Sequence, residues 1–236
     1  MAHDLEAPCP EDAPAWDALY RARGDEVVES RPVLTGDVFA ETNVSVGAEV
    51  QVKTVIVLQH PCALRSNGVD LVGRLLVAEV RPHKPLPPAD WRGYARMMPL
   101  PDLYPDVASR RRDQAVFFEK VHVIDPDGLG RRDACLSPLG VNLLLQRWVH
   151  HNSRVVVPTF DFDDVTHGPY EECDLTEDWA EARESQAVDR RRAWEECHEW
   201  LRVSDQEGGP TRQSLLGDAQ RRSSVRLAAR KHWKSL

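Results

Sequence analysis

The spacing of apolar positions shifts along the chain, and each shift predicts an element. Trp16, Leu19 and Tyr20 recur at helical spacing between Pro10 and Arg23, with Gly24 as a stop, which predicts a short N-terminal helix. Gly36 and Asp37 then punctuate the β-prone run from Arg31 to Ala40 and predict a turn into a strand. Lys53 to Gln59 carries Thr54, Val55, Ile56 and Val57 in succession, the pattern of a buried strand. It ends at His60-Pro61, because proline offers no ladder donor. Leu71 to Val80 predicts a third strand with a bulge near Gly73 and Arg74. The proline-rich stretch from Arg81 to Asp106 reads as a long ordered loop, since Trp91, Tyr94 and Met98 need cover from water. Gln114 to Ile124 predicts a strand or a bent strand pair, Asp125-Pro126-Asp127-Gly128 a turn, and Arg132 to Leu136 a short strand. Ser137 can cap, and Pro138 can open, a helix whose stripe is Val141, Leu144, Leu145, Trp148 and Val149, followed by a strand from Arg154 to Pro158.

After Thr159 the pattern is helical throughout. Ala180, Ala187, Trp194 and Leu201 fall seven apart and predict one helix from Trp179 to Leu201. Gly208-Gly209-Pro210 breaks it, and a last basic helix from Gln213 onward carries Val225, Ala229 and Trp233. The expected class is α+β, with an N-terminal helical cap over residues 1–30, a β-rich domain with a packed helix over 31–160, and a helical extension over 161–236.

Composition narrows this further. With 42% hydrophobic and 29% charged residues in 236, the chain is expected to fold, and no apolar run approaches the ~20 residues a bilayer requires. The N-terminus has neither a basic nor an apolar export region, and five cysteines, an odd number, point to reduced thiols and a cytoplasmic location. The net charge of −8 is unevenly spread: ten acids stand against Arg183 from Asp161 to Gln186, and seven bases against Asp218 from Pro210 to Leu236. The two runs fit solvated helix faces that attract each other within one molecule. They also fit a basic tail in which Arg221, Arg222 and Arg226 contact nucleic acid or an acidic partner.

The densest polar cluster follows the strongest strand. His60, Cys62 and Arg65 lie within six residues, where a rigid strand end can present reactive groups. Cys62 as a nucleophile would need a base, with His122, His150 or His151 as candidates and Asn152 as an orienting group. Asp161, Asp163 and Asp164 fit either a magnesium-binding strand or a solvated acidic segment. No paired-cysteine zinc spacing, phosphate-binding loop, dinucleotide fingerprint or serine elbow occurs, so no metal and no cofactor is expected.

Thr35-Gly36-Asp37-Val38-Phe39, followed by the strand from Val52 to Leu58, resembles the opening of the PemK/MazF-like toxins, and the later order of long loop, strand pair and Ser137-capped helix is similar to their layout. The resemblance covers 31–158. It implies a small SH3-like β-barrel with a packed helix, RNA as the partner and ribonuclease activity within a toxin–antitoxin pair. In that family an Arg-Pro step precedes the second strand and a Thr or Ser closes the third. Here Lys53 stands near the first position and Val80-Arg81 near the second, so the family's catalytic pair does not carry over. Lys53 and Arg81 are then expected to contact nucleic acid, RNA or DNA, and His60, Cys62 and Arg65 to carry catalysis. Two other functions compete: an interaction protein that recruits a protein partner through its C-terminal helices, and a thiol enzyme centred on Cys62.

Overall fold

The computed structural model describes residues 4–8, 16–105 and 112–236. The chain divides into a sheet unit, Met1–Val27, Leu34–Leu64 and Val72–Asp163, and a helical unit, Val28–Val33, Arg65–Leu71 and Asp164–Leu236.

Among the described residues the sheet unit has seven strands: β1 Tyr20–Arg23, β2 Asp37–Val46, β3 Glu49–Val57, β4 Leu75–Pro82, β5 Met97–Leu100, β6 Gln114–Ile124 and β7 Arg131–Leu136. They form one antiparallel sheet in the order β1-β7-β2-β3-β4-β6-β5. That order is linear, so ladders do not close the sheet into the expected barrel. Side chains instead reach from one edge to the other. The Tyr20 hydroxyl donates to the Pro101 carbonyl at 2.8 Å, and the Arg23 guanidinium donates to the Asp102 carbonyl at 2.8 Å, both just past β5. One face of the sheet, with Val38, Ile56, Ala78, Val80 and Val116, is buried against helix α1, Pro138–Ser153. That helix begins where its sequence asks: the Ser137 hydroxyl accepts the Gly140 amide at 3.1 Å and Pro138 takes the first turn.

Several expectations change. Residues 9–15 of the expected N-terminal helix lie outside the described residues, and the remainder is a 3-10 turn, Trp16–Leu19, running into β1. The proline-rich stretch contains β5, where Pro99 opposite Ala115 is tolerated because β5 is an edge strand. Residues 154–158 make no strand. Arg154 takes φ 62° to end α1, and the Val157 carbonyl accepts from Gln146 at 2.9 Å.

The N-terminal segment is tied to α1 through a carboxylate. Glu6 Oε1 accepts from the Thr159 amide at 2.9 Å and the Gln146 amide at 3.0 Å, while Oε2 accepts from the Thr159 hydroxyl at 2.6 Å. Beside it, fully buried Arg147 donates to the Glu6 carbonyl at 2.5 Å and lies 5.1 Å from the Trp91 ring centroid. Burial opposes ionisation of Glu6, but the Thr159 and Gln146 hydrogen bonds and the Arg147 charge prevail and hold it below its ordinary value. Burial lowers the Arg147 guanidinium to about 10, against the field of Glu6.

The helical unit contains α2 Asp163–Glu184, α3 Arg190–Arg202, α4 Arg212–Gly217 and α5 Arg222–Trp233. The single helix expected from Trp179 to Leu201 is broken between α2 and α3, where Ala187 adopts φ 62° and Asp189 caps α3 by accepting the Arg192 amide at 3.2 Å. Trp179, Trp200 and Trp233 cluster with Leu201, Val225 and Ala229 in its core. The acidic run and the basic tail pair with each other: Arg222 meets Glu171 at 2.9 Å, and Arg226 meets Glu171 at 2.8 Å and Asp178 at 3.3 Å. Two upstream segments join these helices. Arg31, 2% exposed, binds Asp174 and, at 2.9 Å, Glu177. In the other segment Asp70 receives Arg191 at 2.7 Å, and the Asn67 carbonyl accepts from Arg202 at 2.7 Å.

Two predictions follow from these contacts. The folded-state pKa of Glu6 lies below the unfolded one, so its stabilisation is complete above the ordinary value of 4.5 and fades as pH falls through the folded value. Glu6→Gln is therefore expected to lower the thermal midpoint at neutral pH and to flatten its decline between about pH 5 and pH 3. A midpoint that follows the wild type across that range would show that the clamp is not formed. Glycine positions give the second. At Gly68, φ is +90° and a Cβ would lie 1.8 Å from His198 Cε1, whereas at Gly47 φ is +63° with nothing within 4 Å. Gly47→Ala is expected to cost about 1–2 kcal/mol in denaturant unfolding. Gly68→Ala should cost more, and equal losses would contradict the packing of the 65–71 segment.

Candidate functional site

The sheet register assembles one charged cluster. Val55 of β3 pairs with Glu79 of β4, and Val57 with Val77. Strand alternation then places Lys53, Val55 and Val57 on the same face as Val77, Glu79 and Arg81. Lys53, two residues before Val55 on β3, is near enough for its charge to act on Glu79. Ala78 pairs with Val121 but Glu79 with Phe117, so Phe118, Glu119 and Lys120 bulge out of register with β4. The bulge brings His122, the partner of Val77, to Glu79, with Nε2 3.0 Å from Oε1. A second irregularity, between Phe39 and Thr42, includes Glu41 at φ 55° and sets Thr42 opposite Lys53.

Glu79 is 4% exposed, and a carboxylate so buried requires partners. Arg81 Nε donates to Oε2 at 2.6 Å while His122 holds Oε1. Burial pushes the Glu79 pKa up, yet the His122 and Arg81 hydrogen bonds and the charges of Arg81 and Lys53 outweigh it and leave the carboxyl below its ordinary range. Ionised Glu79 can only accept, so Nε2 of His122 is the donor, and in the neutral tautomer that this bond selects Nδ1 is the acceptor. His122 is partly open, at 16%, and Arg81 more so, at 46%. The result is an imidazole oriented by a carboxylate, with a guanidinium and an ammonium on the same face: a proton-transfer group beside a place for an anion.

The residues singled out from sequence are dispersed. His60 caps the 3-10 turn Pro61–Ala63, its Nδ1 accepting the Cys62 amide at 3.3 Å, and both residues are exposed. Arg65 belongs to the helical unit and donates to the Val33 carbonyl at 2.7 Å. Of the bases considered for Cys62, His122 bonds Glu79 and His151 stacks on Trp148, with ring centroids 6.1 Å apart. Asn152 donates to the Trp148 carbonyl at 2.7 Å. Asp161 lies in a 3-10 turn and Asp163 and Asp164 open α2, rather than alternating along a strand. Asp163 accepts from Asn142 at 2.6 Å. Among the described residues no group of three or more His, Cys, Asp or Glu could hold a metal ion. No helix there is long and apolar enough to cross a membrane. Lys53 and Arg81 do join one face, whereas Arg222 and Arg226 are engaged by α2 and Arg221 is exposed at the start of α5.

No family model matches the chain, and no curated protein matches it. Among solved structures, the chain is similar to an endoribonuclease in complex with its cognate antitoxin from Mycobacterial species, at 11% identity and TM-score 0.35, over 51% of this chain and 95% of that one. It is also similar to an endoribonuclease from Mycobacterial species, at 10% identity and TM-score 0.35, over 53% and 95%. The resemblance to the PemK/MazF-like toxins is thus weak and partial.

Sequence inspection missed Glu79 and the role of His122. The available signal was an acid flanked by Ala78 and Val80 inside a strand-like run, a position that demands a buried counter-charge.

Cysteine exposure supplies a direct check. Cys62 is exposed, Cys135, Cys173 and Cys197 are buried, and burial pushes the Cys197 thiol up to about 12. A thiol-directed reagent followed by peptide mass analysis should therefore label Cys62 at least about tenfold faster than Cys135, Cys173 or Cys197. Equal labelling of all four would contradict this placement.

Proposed function

We propose that the sheet unit binds RNA and cleaves its backbone by general acid–base catalysis. The observation that carries this is the Glu79–His122 pair, 3.0 Å apart, with Arg81 and Lys53 on the same face. In this reading the curled sheet acts as an open SH3-like barrel whose charged face holds a phosphodiester. Nδ1 of His122 takes the proton of the ribose 2′-hydroxyl, and the 2′-oxygen attacks phosphorus. The P–O5′ bond breaks, leaving a 2′,3′-cyclic phosphate and a 5′-hydroxyl once the leaving oxygen gains a proton. Glu79 keeps the ring in the required tautomer and balances the imidazolium that forms. Arg81 and Lys53 attract the phosphate and offset charge on its oxygens in the transition state. RNA is favoured over DNA because this chemistry needs the 2′-hydroxyl as nucleophile and no metal ion.

The competing functions have less support. Arg222 and Arg226, which were to recruit a partner through the C-terminal helices, bind acids of α2, and two of the bases proposed for Cys62, His122 and His151, have other contacts.

The test is cleavage of a mixed RNA by purified protein. His122→Gln is expected to lower kcat by about 10²–10⁴. Lys53→Ala and Arg81→Ala should each reduce the salt dependence of binding by about one ion. A 2′-deoxy substrate should be bound but left intact. Wild-type protein that cuts no RNA, or His122→Gln cutting at the wild-type rate, overturns the proposal. Loss of cleavage in His60→Ala and Arg65→Ala with His122→Gln unaffected would move the active centre to the end of β3.

A further inference from the structure

A row of rings continues from the Glu79–His122 pair across the same face. Phe117 of β6 is the direct cross-strand partner of Glu79. His83 follows Glu79 and Arg81 at the alternate position, and its amide donates to the Asp113 carbonyl at 3.1 Å, extending the β4–β6 pairing beyond Pro82. The His83 ring lies 6.3 Å from Phe117 at 57° and 6.4 Å from Tyr94 at 77°. Tyr94 is fixed at the end of the 3-10 turn Pro88–Gly93, its amide donating to the Trp91 carbonyl at 3.2 Å. Phe117 and Tyr94 pack against the sheet core, yet all three rings remain partly exposed. The three rings border the cationic, acid–base site: Phe117 is paired with Glu79, and His83 follows Arg81 two residues on.

We infer that His83, Tyr94 and Phe117 form a stacking subsite for one unpaired base next to the scissile phosphate. This rests on the ribonuclease reading and adds to it a determinant of position. Arg81, between the rings and the His122 pair along β4, holds the phosphate while the neighbouring base lies against the rings. A stacked base is recognised by its π-face, so the subsite accepts any base but requires that it be unpaired. Duplex RNA, with its bases already stacked and paired, is excluded by the same requirement.

The experiment uses the full chain and a short single-stranded RNA whose cleavage position has been mapped with the wild type. Phe117→Leu and Tyr94→Leu, which keep apolar bulk but remove the ring, are expected to raise KM about tenfold with kcat changed by less than about twofold. Tyr94→Phe, which keeps the ring, should restore wild-type KM. Replacing each base in turn by an abasic sugar should reveal one position where the wild type loses the same factor, and there Phe117→Leu should lose nothing further. Such non-additivity is a readout that mere loss of stability does not produce. Should Phe117→Leu fail to fold, the abasic scan with wild-type protein and Tyr94→Leu decides the matter. Cleavage with unchanged KM in both ring variants, or with no position sensitive to base removal, overturns the subsite and leaves the ribonuclease reading intact. A wild type that neither binds nor cuts RNA overturns both.

Discussion

The candidate site depends on a carboxylate that the fold has taken out of water. Glu79 lies in the middle of β4, with Ala78 and Val80 on either side in the main core, and is 4% exposed. A lone charge there would cost several kcal/mol. It remains ionised because both of its oxygens are occupied, Oε1 by His122 and Oε2 by Arg81, with Lys53 adding to the positive field. This requirement links structure to chemistry. The groups that make burial of Glu79 tolerable are the ones that orient an imidazole and gather positive charge at a solvent-facing position.

Each unit solves the same problem elsewhere for structural ends. In the sheet unit, Glu6 is surrounded by Thr159 and Gln146 beside fully buried Arg147, which anchors the N-terminal segment to α1. In the helical unit, Arg31 is buried between Asp174 and Glu177, and Arg226 draws Glu171 and Asp178 to α5. The Glu79 cluster differs in bonding its carboxylate to an imidazole, with Arg81 and Lys53 adding positive charge, which is why it, among the three, is read as functional.

Some signals in the sequence were read correctly because the determining contact was itself local. The Ser137-Pro138 start of α1 and the stripe Val225, Ala229, Trp233 on α5 depend on residues within a few turns of each other. Strand β5 escaped notice because prolines argue against a strand unless it lies at an edge, and edge position is a property of the assembled sheet. The break between α2 and α3 escaped because a seven-residue apolar repeat continues across it, although Asp189 was available as a cap. Opposite charge on the two C-terminal segments was plain in the composition, but whether they met each other or a partner was not.

The same division holds for the site. Lys53 and Arg81 were marked by where they stand against the toxin pattern, and His122 was noted as one candidate base for Cys62. Grouping His60, Cys62 and Arg65 relied on closeness along the chain; the turn keeps His60 beside Cys62, whereas Arg65 bonds Val33. Glu79 and His122 are 43 positions apart. They meet because β6 bulges by three residues opposite β4, and register at a bulge is set by packing across the whole sheet rather than by either strand. The amino-acid order determined most of the strands and helices, since those preferences are local, and left the edge strand β5 to the assembled sheet. Only the tertiary structure decided which charges share a face, because that is fixed by pairing between distant strands.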